Sequence, residues 1–136
     1  MPFWRCYFHV VWSTKQRAPV ISAQVEPRLY GALRSIAERM GVTVYAVNGT
    51  EDHVHLVVSV PPTVAPASLI GHLKGASARL INAELSPEPP FAWEEGYGLF
   101  TVGPRQLPTA VSYVRSQKQH HAPNTTNAAL ERTSDD

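Results

Sequence analysis

His53, Val54 and His55 form a His-x-His triplet inside an apolar run. In a strand, residues two apart point to the same face at roughly 6 to 7 Å spacing, so the two imidazoles project together while Val54, Leu56, Val58 and Val60 point into a core. A neutral imidazole both ligates metals and hydrogen-bonds, so the pair suits a shared metal ion or a hydrogen-bonded polar face. The second candidate is Tyr113, with Gln117 four residues later and therefore one helical turn away on the same flank. Leu107, Ala110, Val111 and Val114 make the apolar stripe of that helix, and Tyr113 falls outside it, near the polar Gln106, Thr109 and His120. Such a face suits a nucleophile, and it equally suits a tyrosine that caps the edge of a core. Neither motif alone selects a chemistry.

The elements that position these residues are legible from periodicity. Trp4, Cys6, Phe8, Val10 and Trp12 alternate with Arg5, Tyr7, His9, Val11 and Ser13, the period of a strand. Leu29, Leu33, Ile36 and Met40 predict a helix over 26–40 that stops at Gly41. Val42–Val47 and His53–Val60 predict two strands, paired as a hairpin with Asn48-Gly49 as its turn. Leu69, Leu73, Ala76, Leu80 and Ile81 mark a second helix. The Pro-rich loop of residues 86–90, a strand over 97–102 and a last helix from Leu107 to Gln119 follow. The order βαββαβα predicts an α+β, ferredoxin-like sandwich with both first helices on one sheet face and an additional C-terminal helix.

A chain of 136 residues suits one domain, expected over 1–121, with a polar tail over 122–136 whose composition gives it little apolar surface to bury. No apolar run approaches the ~20 residues that cross a bilayer, and the alternating aromatic start lacks the basic head and cleavage site of a signal peptide. With Cys6 the only cysteine, no internal disulfide forms, and a reducing, cytoplasmic location is expected. The net charge of +1 leaves partners open. Acids and bases balance through residue 103, whereas 104–121 carry Arg105, Arg115 and Lys118 without an acid.

Five blocks, taken together and in order, resemble a known family, the His-hydrophobic-His (HUH) single-tyrosine transposases of small bacterial and archaeal insertion sequences, including the REP-associated tyrosine transposases. Phe8–Lys15 is similar to the family's opening strand, Asp52–Pro62 to its HUH strand and Leu73–Ser77 to its second helix. Trp93–Gly98 is similar to its Gly-Tyr turn and Tyr113–Gln117 to its nucleophile helix. The sequence departs from the family at Thr50-Glu51, where relatives often carry a proline. The resemblance implies a metal held by His53, His55 and Gln117, with Tyr113 attacking a phosphate of single-stranded DNA, at hairpin ends, in a homodimer. Two imidazoles and an amide oxygen suit Mg2+ or Mn2+ better than zinc. A phenol with an ordinary pKa near 10 needs a cation on the phosphate to act as a nucleophile at neutral pH.

For DNA contact the candidates are scattered: Arg5, Tyr7 and His9 on one face of the first strand, Lys74 and Arg79 on the second helix, and Arg105, Arg115 and Lys118 flanking Tyr113. Two other classes fit the same elements, a ferredoxin-like nucleic-acid-binding module without catalysis and a metal-dependent phosphoesterase that only hydrolyses.

Overall fold

A computed structural model describes residues 2–120 and residue 133. The tail expected from Ala122 onward lies, apart from Thr133, outside the described residues, as does His121. Four strands, β1 (Tyr7–Ser13), β2 (Thr43–Gly49), β3 (His53–Ser59) and β4 (Gly98–Val102), alternate with helices α1 (Val25–Arg39), α2 (Pro66–Leu85), α3 (Leu107–Arg115) and α4 (Gln117–His120). The sheet runs β2-β3-β1-β4, with every neighbouring pair antiparallel. This is the expected α+β ferredoxin-like arrangement.

The main core lies between the sheet and α1 with α2. Val10 and Trp12 of β1, and Val54, Leu56 and Val58 of β3, meet Leu29, Leu33 and Ile36 of α1 and Leu69, Ile70, Leu73 and Ile81 of α2. Helix α1 ends where expected. Gly41 takes φ +77, a left-handed conformation that a side chain disfavours, while the N–H groups of Gly41 and Val42 close on the carbonyls of Glu38 and Ala37.

Four expectations are corrected. Strand β1 begins at Tyr7 rather than Trp4, because Tyr7 is the first residue with partners on both sides, Ser59 and Val102. Leu80 does not join the core and is exposed. The buried stripe of α2 instead includes Ser77, whose hydroxyl accepts the indole N–H of Trp93 at 3.0 Å. Asn48 and Gly49 are not a turn but the end of β2, paired with His55 and Val54, and the chain reverses at Thr50–Asp52. Gly49 is needed for close approach: a Cβ there would collide with the His53 carbonyl. The last helix is not continuous but breaks at Ser116, where the Arg115 carbonyl accepts a bond from the Asn48 side chain at 2.9 Å.

Candidate active site

The second face of the sheet carries the chemistry-bearing residues. Strand β3 is buried along its whole length: its even-numbered side chains join the main core, while Val57 on the other face packs with Ala46 of β2 and Val114 of α3. Helix α3 lies over β2 and β3 and so roofs the face to which His53 and His55 belong, and the two rings stand 5.1 Å apart between centroids. They are 2% and 0% exposed.

Each ring is held by its Nδ1 atom. His53 Nδ1 lies 2.7 Å from Asp52 Oδ1 and 2.9 Å from Thr50 Oγ1, and Arg17 Nη1 donates to the same Asp52 oxygen at 3.3 Å. Burial works to raise the Asp52 pKa, but the His53 hydrogen bond, the neighbouring charges of His53 and Arg17, and the Thr50 hydroxyl outweigh it and hold the carboxyl below its ordinary value. The Thr50-Glu51 departure thus supplies a hydroxyl that steadies the reversal. His55 Nδ1 lies 2.7 Å from His9 Nε2, with the ring planes 18° apart. With Nδ1 as the donor in each contact, each ring presents Nε2 for coordination, and in that tautomer both rings fit a metal ion through the same atom.

Tyr113 does not stand away from the apolar side of its helix, as the stripe suggested. Because α3 packs over only part of the sheet, Leu107, Ala110 and Val111 remain partly buried, and Tyr113 packs with Ala46, Val57 and Val114. Its ring is edge-on to His9 at 5.9 Å and to His55 at 6.0 Å. Gln117 opens α4 and is fully buried. Helix α4 is tied to β2 through Lys118, whose ammonium donates to Asn48 Oδ1 at 3.0 Å and the Gly49 carbonyl at 2.9 Å, and pairs with Glu26 at 3.1 Å. Among the described residues no group of three His, Cys, Asp or Glu side chains is arranged to hold a metal. Gln117, whose side chain is buried and whose amide oxygen is a neutral ligand, is the third residue that could hold a metal beside His53 and His55.

The remaining candidates divide by environment. Arg5 is exposed and donates to the Tyr7 hydroxyl at 3.2 Å. Tyr7 is buried, edge-on to Tyr45 at 5.9 Å, and His9 is buried in the His cluster. Lys74 donates to the carbonyls of Glu94 and Gly96 at 2.7 and 2.9 Å and so props the Gly-Tyr turn. Burial lowers its pKa against the opposing charges of Glu94 and Glu95. Arg79 is exposed on α2, Arg105 is exposed in the turn before α3, and Arg115 is exposed at the end of α3. Sequence reasoning missed the parts that Asp52, Thr50 and His9 play around the two rings. For Asp52 and Thr50 the signal was adjacency to His53; for His9 there was only its shared strand parity with Tyr7.

An antiparallel ferredoxin-like sheet with a buried histidine cluster under a tyrosine-bearing C-terminal helix defines the class of protein. The IS200-like transposase family model matches residues 2–117, and the chain belongs to that family of single-tyrosine transposases. It is 31% identical over 115 residues to the ISDra2 transposase TnpA of Deinococcus radiodurans, covering 81% of this chain and 82% of that one. It is 26% identical over 106 residues to the transposase for insertion sequence element IS200 of Salmonella typhimurium, covering 74% and 69%. Among solved structures, a candidate transposase from Deinococcus radiodurans R1 superposes with a TM-score of 0.70 at 26% identity, over 85% of this chain and 93% of that one. A REP-associated tyrosine transposase bound to a REP hairpin has the same fold, with a TM-score of 0.68 at 12% identity over 90% and 75%. Among the described residues no helix is long and apolar enough to cross a membrane.

Proposed function

We propose that this transposase cuts and rejoins single-stranded DNA through a covalent 5′-phosphotyrosine on Tyr113. The observation that carries the reading is the packing of the Tyr113 ring 5.9 and 6.0 Å from His9 and His55, with Gln117 buried at the start of α4. The Tyr113 oxygen attacks the phosphorus and loses its proton. The bond from phosphorus to the 3′-oxygen breaks, and that oxygen leaves as a 3′-hydroxyl after taking up a proton. In the return step a 3′-hydroxyl from another strand attacks the same phosphorus and releases the phenol, so the phosphodiester energy is kept and no nucleotide cofactor is consumed. His53, His55 and Gln117 would hold Mg2+ or Mn2+, which supplies polarisation of the phosphate and stabilisation of the charge that develops on it. The protein contributes fixed ligand rings, a roof that limits water, and a nucleophile on a packed helix.

Hairpin ends are the proposed substrate, supported by the solved relative that binds a REP hairpin. A homodimer is the proposed working unit, because exchange must bring two DNA ends together, and the cytoplasm is its proposed location. The test is incubation with single-stranded DNA taken from both flanks of the gene, and with a panel of short hairpin-forming strands, in Mg2+ or Mn2+. A protein–DNA species that survives denaturation is expected, falling by more than about a thousandfold in Tyr113→Phe. An undiminished adduct from that variant refutes the assignment of Tyr113. A free 5′-phosphate without adduct means hydrolysis, and binding alone means a non-catalytic module.

A further inference from the structure

The half of the sheet face that α3 does not roof opens into a cavity of about 510 Å3 between β4 and α3. Its origin lies in the topology. Strand β4 is an edge strand beside β1, whereas α3 packs on β2 and β3, so the surface over β1 and β4 is left concave. His9 and Tyr113 form one side of it and Phe100, directly across from His9 in the sheet register, forms another. Gln106 and Thr109 sit at the mouth, and both are exposed.

We propose that this cavity is a nucleobase subsite, which takes the base of the nucleotide next to the bond that Tyr113 attacks. The inference rests on the reading of Tyr113 as nucleophile. Three features select a base over a phosphate or a sugar. Among the described residues the lining contains no Asp, Glu, Lys or Arg, so none of them is built to balance a phosphate charge. The half-buried Phe100 ring, 5.7 Å from His9 and tilted by 32° to it, contributes an aromatic surface of the kind on which single-stranded bases stack. The Gln106 amide carries both donors and an acceptor and Thr109 carries a hydroxyl, the groups that read a base edge. Since Tyr113 is itself part of the wall, a strand presenting its phosphate to the phenol lays the adjoining nucleotide across this opening.

Two arms test the proposal. In the first, backbone amide NMR follows titration with dAMP, dGMP, dCMP and TMP, with 2-deoxyribose 5-phosphate as the base-free control. The nucleotides should move the amides of Phe100, Gly103, Gln106 and Thr109 saturably and the control should not. Phe100→Ala should weaken the effect by about tenfold, and Thr109→Phe, an exposed position that fills the mouth without touching the core, should abolish it. Equal shifts from the control, or shifts that persist in a folded Thr109→Phe protein, overturn the subsite. In the second arm, covalent adducts from a randomised single-stranded pool are sequenced. Gln106→Ala and Thr109→Phe should alter base preference at one position beside the cut and nowhere else; an unaltered preference overturns the assignment. Absence of any adduct from the unaltered protein refutes the strand-cutting reading instead, and the first arm then still decides whether the cavity takes a base.

Discussion

His9 and Asp52 grip the two rings of the histidine pair at equivalent atoms, one with an imidazole and the other with a carboxylate. Asp52 is partly exposed, whereas His9 is buried, so the His55 side of the proposed metal site depends on a neighbour that water does not readily replace. His9→Phe keeps an aromatic ring, slightly larger, and removes both nitrogens. Divalent-ion affinity should fall about 10- to 100-fold by calorimetry, the range for loss of a partner behind a ligand. His9→Gln, which retains an acceptor, should recover part of it, and nitrogen-15 NMR should report a changed His55 tautomer in the Phe variant alone. Unchanged affinity in His9→Phe would mean that His9 only packs.

At the scale of elements, the break between α3 and α4 and the hydrogen bonds of Asn48 set where Gln117 lies. Asn48→Ala removes the bond to the Arg115 carbonyl and one of the acceptors for Lys118. It should cost about 1 kcal/mol in urea denaturation. Adduct yield should drop at limiting Mn2+ and recover at high Mn2+, because the loss falls on ion affinity rather than on the nucleophile. Helix α1 carries a different test. Burial, reinforced by the charge of Glu26, pushes the Tyr30 phenol well above its ordinary value near 10. The raised folded value means that its contribution is fully present below pH 10 and is lost as pH climbs beyond it, where the unfolded chain ionises first. Urea midpoints measured from pH 8 to 11 should therefore fall more steeply for the unaltered protein than for Tyr30→Phe, and parallel curves would show that Tyr30 does not titrate differently on folding.

For the whole molecule the question is which chain supplies the tyrosine. Here Tyr113 packs against the histidines of its own chain, and α3 is joined to β4 through the short 3-10 turn Pro104–Gln106. Mixed dimers of Tyr113→Phe with His53→Ala/His55→Ala subunits should accordingly show no recovery of cleavage. Recovery would mean that the helix crosses to the partner, and a monomer in light scattering at working concentration would remove the homodimer from the proposal.

Much of this was legible before folding because periodicity records burial. The alternation along 53–60 and the stripe at Leu29, Leu33 and Ile36 are each enforced by one face meeting one core, so sequence by itself determined the order of elements, the fold class and the pairing of His53 with His55 on one side of a strand. The five motif blocks then determined the family. What only the tertiary structure decided are relations between segments far apart in sequence. His9 meets His55 across 46 residues because β1 and β3 are central neighbours, which a strand pattern read alone leaves open. Asn48-Gly49 carries a turn signal, but the close approach of β2 to β3 keeps both residues in the ladder, since local propensity is a weak term beside strand pairing. Tyr113 and Gln117 read as the polar flank of a helix, and they are inward because α3 rests on a sheet face that itself carries polar histidines: a hydrophobic stripe shows which side of a helix is apolar, not whether the surface beneath it is.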